Sequence, residues 1–392
     1  MTPADARLLF PALERHTWLN AAASSPLARP VAEAMRAHVD EAMATGDLGY
    51  PSWATQKDAA RARLARFIGA EANDVAFTSS TSMAMASMAR RLLARGVTEV
   101  LTFDHEFPST TVPLLHAGLT LRVVRRRTDG TFSLDDVEAA LRPTTGAVAV
   151  SIVQFNSGFR VDVPALAALC RDRKLPLVLN AAQAIGQTQL QARTWGVAAI
   201  AGTFHKWVGA GYGTGLLYLH PEWQRDEAPW ASWLSVPESL LWQVFPGARR
   251  ADDSAGFTAS GVELRHDAAG FDVGAGTWLA MRAISSALEL HESLGHEVVA
   301  AHIAGLQRQL RAGLRRRGFT PNTPDDEAHG SGICVVPVRG EPLDAVRTLL
   351  RNDSIATTAR GGGLRISTHF YNDESDVDRL LRALERHGIA PA

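Results

Sequence analysis

Lys206 stands where a short apolar strand gives way to a glycine-rich turn, between a histidine and an indole in Ala199-Ile-Ala-Gly-Thr-Phe-His-Lys-Trp207. An amine held at a strand end in partly apolar surroundings loses hydration, which lowers its pKa and makes it a nucleophile toward an aldehyde. Taken alone, a lysine is also readily a surface residue. Other chemistry-bearing residues lie at the strand ends before it. Ser79-Ser80-Thr81-Ser82 opens a helical stretch at Met83, where four hydroxyl residues offer side-chain and backbone donors to a phosphate, or serve simply as caps. His105-Glu106-Phe107-Pro108 places an aromatic ring at the same rim, and Asn156 and then Asn180-Ala-Ala-Gln183 supply amides. Anion donors, a flat ring, amides and an amine thus gather at five successive strand ends.

The elements that carry these residues are apolar strands alternating with helical stretches between Val75 and Leu219. That is the pattern of β-α-β units around a parallel sheet covered on both faces. Strands are predicted at Val75–Thr78, Glu99–Asp104, Leu121–Arg125, Ala147–Gln154, Leu175–Asn180, Ile200–Phe204 and Gly215–Leu219. Helical spacing is predicted over Met83–Arg95 and Val163–Arg173, the second opened by Asp162 as a cap with Pro164 in its first turn. Ligands of such sheets sit beyond the carboxyl ends of the strands, where the residues above fall. Trp223 to Gly270 mixes aromatics with Pro, Gly and Asp and reads as an irregular connection. Its tryptophans, from Trp223 to Trp242, are read as aromatic core or dimer contact, with a pocket for an apolar substrate group as the alternative.

Beyond it, helices are expected at Thr277–Leu294, Val298–Arg317, Leu343–Arg351 and Asp373–His387, with strands at Ile333–Val338 and Leu364–Ser367. The chain then divides into an N-terminal segment at 1–20, a large α/β domain with a mostly parallel sheet at 21–260, and a smaller C-terminal α+β domain at 261–392.

Composition narrows the partners. The 392 residues carry 40 basic and 41 acidic side chains, a formal net charge of −1, which favours neither nucleic acid nor an anionic membrane. The four arginines between Arg122 and Arg127 read as a solvated sheet edge. No apolar run is long enough to span a bilayer and no signal-peptide pattern opens the chain, so the cytoplasm is the expected location. Cys170 and Cys334 lie far apart in apolar settings and read as buried small hydrophobes, with no disulfide framework or zinc site behind them. His105-Glu106 fails as a zincin motif because Ser109 stands where the second histidine is needed and Pro108 is expected to break the helix; no metal is expected. The glycines from Gly209 to Gly215 fail the dinucleotide fingerprint, since Leu216 replaces the last glycine and a strand follows where a helix is required.

With these residues assembled, the chain resembles the class V aminotransferase family of fold-type-I pyridoxal-phosphate enzymes, which includes cysteine desulfurases, selenocysteine lyases and isopenicillin-N-epimerase-like proteins. The likeness runs from Leu19-Asn-Ala-Ala-Ala to the end, and the order and spacing of the motifs carry it. It implies pyridoxal 5′-phosphate as cofactor, held by Lys206 through an imine. By the same resemblance Thr81 and Ser82 match the phosphate-cradling turn, with Thr203 and His205 as further phosphate donors. Phe107 matches the residue stacked on the pyridine ring, and Asn156 and Gln183 match residues near the ring hydroxyl. Arg365, in Leu-Arg-Ile-Ser-Thr-His-Phe-Tyr-Asn, matches the arginine that grips the substrate α-carboxylate, which a planar fork suits. Without the family, Arg365 reads equally as a structural ion pair.

Three departures bear on activity. Asn180 stands where the family carries an aspartate that keeps the ring nitrogen protonated, so the ring's capacity to accept electrons is expected to be weaker. The loop Ala359-Arg-Gly-Gly-Gly363 lacks the sulfur-accepting cysteine of the desulfurases, which argues against a persulfide route. The family's partner-reaching Gly-Thr-Pro element is replaced by Phe271-Asp-Val-Gly274-Ala-Gly-Thr277, with Ala275 or Thr277 in its place. The resemblance implies a homodimer with its active site at the subunit interface, acting on a small-molecule α-amino acid. Transamination is the first expectation, with C–S lyase or β-elimination chemistry or epimerisation next. A cofactor-binding regulatory protein silenced by Asn180 is the reading from a different class.

Overall fold

Alternate residues of the central strands divide between two apolar cores, as the two-residue period of a strand requires when a sheet is covered on both faces. Leu101, Val148, Val150, Leu179 and Ile200 join one core, while Val100, Ala147, Ala149, Val178 and Ala199 join the other. The structure, a computed structural model, describes residues 1–225, 232, 235–236, 264–272, 278–324, 326–339 and 342–392. After the two-residue strand β1 (Thr17–Trp18), the strands are β2 (Val75–Thr78), β3 (Glu99–Phe103), β4 (Thr120–Val124), β5 (Thr145–Ser151), β6 (Leu177–Asn180), β7 (Ala199–Thr203) and β8 (Gly215–Leu219). β2 to β8 form one seven-stranded sheet in the order β2-β8-β7-β6-β5-β3-β4.

Neighbours from β4 to β7 are parallel. β8 runs antiparallel to both β7 and β2. The cause is the connection: a loop without a helix joins β7 to β8, and a parallel partner needs a longer crossover. The expected α/β class with a mostly parallel sheet holds. The expected strands are all present, and their ends move by three residues or fewer; the one predicted to reach Gln154 stops at Ser151.

Local capping explains the helix ends. The helix Thr81–Ala94 starts two residues earlier than expected, because Ser80 takes the cap and its hydroxyl accepts from the Met83 N–H. Asp162 caps Val163–Asp172 by accepting from the Ala165 N–H, with Pro164 in the first turn. Pro108 opens the helix Pro108–His116 instead of breaking one, since the first turn needs no N–H from it. His105 therefore lies outside that helix, and no group of metal-ligating side chains forms among the described residues. The arginine run lies along edge strand β4 and beyond it, where Arg125 meets Asp104 and Arg127 meets Asp136.

The later strands are β9 (Ile333–Val336), β10 (Val338–Arg339), β11 (Ile355–Ala356), β12 (Thr358–Arg360), β13 (Gly363–Ser367) and β14 (Ala390–Pro391). The single strand expected over Ile333–Val338 is interrupted at Pro337, which has no N–H to give a ladder. β12, β13 and β9 form an antiparallel sheet, and its core with the helices His296–Arg316 and Glu374–Arg386 is separate from the two above. The helix Trp278–Leu294 instead packs on Arg29–Thr45 and Tyr50–Phe67.

The N-terminal segment ties these parts together. β1 pairs in parallel with β11, Arg7 bonds Asp376, and the Ala22 N–H donates to Ser367 Oγ. Among the described residues no helix is long and apolar enough to cross a membrane. Ala275, Thr277 and the tryptophans Trp230, Trp233 and Trp242 lie outside the described residues.

Candidate active site

The carboxyl ends of β2, β3, β6 and β7 open onto one cavity of about 340 Å³. Eight of the residues singled out from the sequence line it: Thr81, Ser82, Phe107, Gln183, Thr203, His205, Lys206 and Arg365. Asn156 and Asn180 are buried beside it without forming its wall.

Lys206 leaves the turn after β7, and its Nζ lies 5.4 Å from the centroid of the Phe107 ring. Enclosure by protein, and then the Arg365 guanidinium, bring its pKa down to about 8. No carboxylate pairs with it among the described residues. Phe107 sits just before the helix Pro108–His116 and packs edge-on against Phe155 at 5.1 Å.

The hydroxyl turn follows β2. Thr81 is buried, and its Oγ1 has no hydrogen-bond partner among the described residues. An unpartnered buried hydroxyl at a helix start costs free energy unless something accepts from it, and an anion satisfies that need together with the free N–H groups of the first turn. Thr203 is already engaged: its hydroxyl donates to the Thr214 carbonyl at 3.0 Å and meets His205 Nδ1 at 2.8 Å. The Thr203 proton is used, so His205 Nδ1 is the donor in that second contact. Burial, and then Lys206, push the His205 pKa down to about 4, and its ring stacks on Tyr212 with centroids 4.4 Å apart.

Gln183 bridges two walls, donating to the Ala22 carbonyl and accepting from the Trp207 indole. Arg365 comes from β13 in the C-terminal sheet and donates to the Phe155 carbonyl at 3.1 Å, while its Nε has no partner among the described residues. Its pKa falls to about 10, through burial and then Arg360. The turn before β13 fits only because of a glycine. Gly361 has φ +64°, and a Cβ there would lie 1.9 Å from the Asn156 carbonyl oxygen.

Sequence reasoning missed several of the walls. Ala22, Ala23, Ser109, Phe155, Thr358 and Arg360 also line the cavity. Ala22 and Ala23 belong to the first motif of the resemblance, and Arg360 lies in a loop read only for its missing cysteine. Glu106 had drawn no role except in the failed zincin test. Its carboxylate lies behind the wall and accepts from Ser151, Gln154 and Thr110.

Comparison with known proteins places the chain. The family model for aminotransferase class-V matches residues 17–233. Over 390 residues the chain is 25% identical to an uncharacterized aminotransferase of Bacillus subtilis (strain 168), covering 97% of this chain and 96% of that protein. It is 29% identical over 402 residues to isopenicillin N epimerase of Amycolatopsis lactamdurans, with 94% of each covered. The apo structure of a cysteine desulfurase from Thermococcus onnurineus NA1 superposes with a TM-score of 0.88 at 20% identity, covering 99% of this chain and 98% of that one, a likeness of fold. The chain belongs to the class V aminotransferase family, with the fold-type-I α/β architecture and pyridoxal 5′-phosphate as its cofactor.

Proposed function

We propose that this chain is an enzyme that acts on an α-amino acid, with transamination to an α-keto acid as its reaction. The observation that carries this reading is the shared cavity of Lys206 and Arg365: an amine with a pKa near 8 faces a guanidinium that no carboxylate occupies among the described residues.

The bound cofactor supplies an aldehyde that condenses with amines and a ring that accepts electrons released at the substrate's Cα. The protein's part is positional and protolytic. Thr81 and Ser82 hold the phosphate, supported by the unpartnered Thr81 hydroxyl. Thr203 would join them by turning its hydroxyl from the Thr214 carbonyl, and His205 by turning its Nδ1 from Thr203. Phe107 would stack on the ring, Asn156 and Gln183 would lie on the side of its hydroxyl, and Asn180 on the side of its nitrogen. Arg365 would grip the substrate carboxylate and so fix the orientation of Cα. Lys206 would take the proton from the substrate's Cα and give it back, as general base and then acid.

A persulfide route is not part of this proposal. Both cysteines are buried, and neither lines the cavity; burial pushes the Cys170 thiol up to about 12, far from a reactive thiolate. Residence in the cytoplasm and a homodimer belong to the proposal. Tyr212, 75% exposed beside the cavity, is a natural partner contact.

A second reading rests on Asn180: a neutral side chain by the ring nitrogen favours short-lived carbanions, hence elimination or epimerisation. The test is incubation of the cofactor-loaded protein with a panel of amino acids and a keto-acid acceptor. A new keto acid with the matching amino acid supports transamination. Ammonia or inverted substrate transfers support to the second reading, and none of these from a loaded protein supports a silenced binder.

A further inference from the structure

Asn180 is not a free amide. Its Oδ1 accepts from the Ala182 backbone N–H at 2.9 Å, and its Nδ2 donates to Thr110 Oγ1 at 2.8 Å and to Ser109 Oγ, on the cavity wall, at 3.5 Å. The backbone N–H can only donate, so the carbonyl end of Asn180 is fixed on that side and the NH₂ end on the other. Thr110 Oγ1, having accepted from Asn180, passes its own proton to Glu106 Oε2 at 3.3 Å. Glu106 Oε1 accepts from two obligate donors, the Ser151 N–H at 2.6 Å and Gln154 Nε2 at 2.8 Å. Among the described residues its Oε2 faces only hydroxyls, those of Ser151 and Thr110. Burial raises the Glu106 pKa, and the four hydrogen bonds it accepts oppose that rise; with Glu106 ionised, every direction in the series Asn180, Thr110, Glu106 is determined.

An aspartate at position 180 reverses the middle of this series. Thr110 would then donate to the new carboxylate, and Glu106 would lose that donor while standing one hydroxyl away from a second negative charge. The series accommodates at most one negative charge, at one end or the other. We propose that Glu106 and Asn180 are a coupled pair, joined through Thr110, in which the charge sits at Glu106 so that Asn180 turns only an N–H donor toward the cofactor's ring nitrogen and holds it unprotonated. The ring end of this inference rests on the reading under Proposed function; the coupling does not. Glu106 is a positioning residue, acting through Thr110 and Asn180.

The reversed series has a sequence of its own. In Glu106→Gln the amide oxygen replaces Oε1, where two donors point at it, and the amide nitrogen replaces Oε2, where two hydroxyls can accept. With Asn180 unchanged, Thr110 then accepts twice and its proton has no acceptor. With Asn180→Asp as well, the proton goes to the carboxylate introduced at position 180 and every group is paired.

The experiment is a double-substitution cycle on the thermal midpoint of the full-length protein without cofactor. Glu106→Gln is expected to lower the midpoint in the parent and to raise it in the Asn180→Asp background, a reversal of sign that general loss of packing does not give. Thr110→Val is expected to abolish the reversal. Additive effects, or a reversal that survives Thr110→Val, overturn the coupling, whether or not the protein binds cofactor.

A second measurement loads the protein with ring-¹⁵N-labelled pyridoxal 5′-phosphate and reads the nitrogen chemical shift. An unprotonated signal in the parent and a large upfield, protonated signal in the Asn180→Asp, Glu106→Gln double variant support the ring end, and a protonated parent overturns it. Sign reversal in a protein that takes up no cofactor leaves the coupling in place and overturns the proposed function instead.

Discussion

Lys206 and Arg365 face one cavity as two cations, with no carboxylate paired to either among the described residues. Their repulsion has a chemical use. Burial, and then Arg365, hold the Lys206 amine near 8, where a substantial fraction is neutral and nucleophilic at physiological pH, and the same guanidinium is left for a substrate carboxylate.

The rate at which the cofactor-free protein takes up pyridoxal 5′-phosphate should follow that amine. Only the neutral amine attacks, so the rate rises with pH through a midpoint of about 8. Removing a neighbouring cation raises an amine's pKa, so Arg365→Gln should move the midpoint upward. Stopped-flow absorbance across pH checks both the position and the direction of the move.

Arg365→Gln should also separate substrate binding from cofactor binding. Loss of a charge-assisted pair costs about 1.5–3 kcal/mol, or about 10- to 150-fold in kcat/KM. Arg365 does not belong to the phosphate turn, so cofactor affinity should stay within about threefold, a change of less than about 0.7 kcal/mol. Steady-state kinetics with the active amino acid and a cofactor titration give the two numbers.

Thr81→Val removes a buried hydroxyl that has no partner among the described residues. The cofactor-free protein should lose no stability, or gain a little, because an unpaired polar group is costly to bury. Cofactor affinity should fall about tenfold, the equivalent of one hydrogen bond of about 1.4 kcal/mol. Parallel melts and cofactor titrations read both effects.

Gly361→Ala sets a side chain into the left-handed region and against the Asn156 carbonyl. A loss of about 3 kcal/mol is expected from the clash and the backbone strain together. Because the turn leads directly into β13, weaker binding at Arg365 should accompany the lower thermal midpoint.

The strands and the residues at their ends were legible because both depend on local pattern. Lys206, Phe107 and the hydroxyl turn each follow an apolar run with a two-residue period or a continuous buried stretch, and the sheet brings such ends together whatever the intervening helices contain. The wiring was not legible. Asn180 could be read as a missing charge, but its partner Thr110 lies 70 residues away along the chain, and nothing local to either announces the contact. Glu106 looked like half of a failed metal motif because its donors come from a neighbouring strand and the segment beyond it. Arg360 stood in plain sight within a loop judged only by the cysteine it lacks. The antiparallel β8 was hidden because an apolar run carries no sign of its direction.

The central claim is that Lys206 is the amine to which the cofactor attaches. Borohydride reduction of the cofactor-loaded protein, followed by peptide mass mapping, tests it directly. The predicted result is one phosphopyridoxyl mass increment per chain, on the peptide containing Lys206, and none in Lys206→Ala. An increment carried by Lys57, Lys174 or the N-terminus instead, or no stable increment at all, would contradict it.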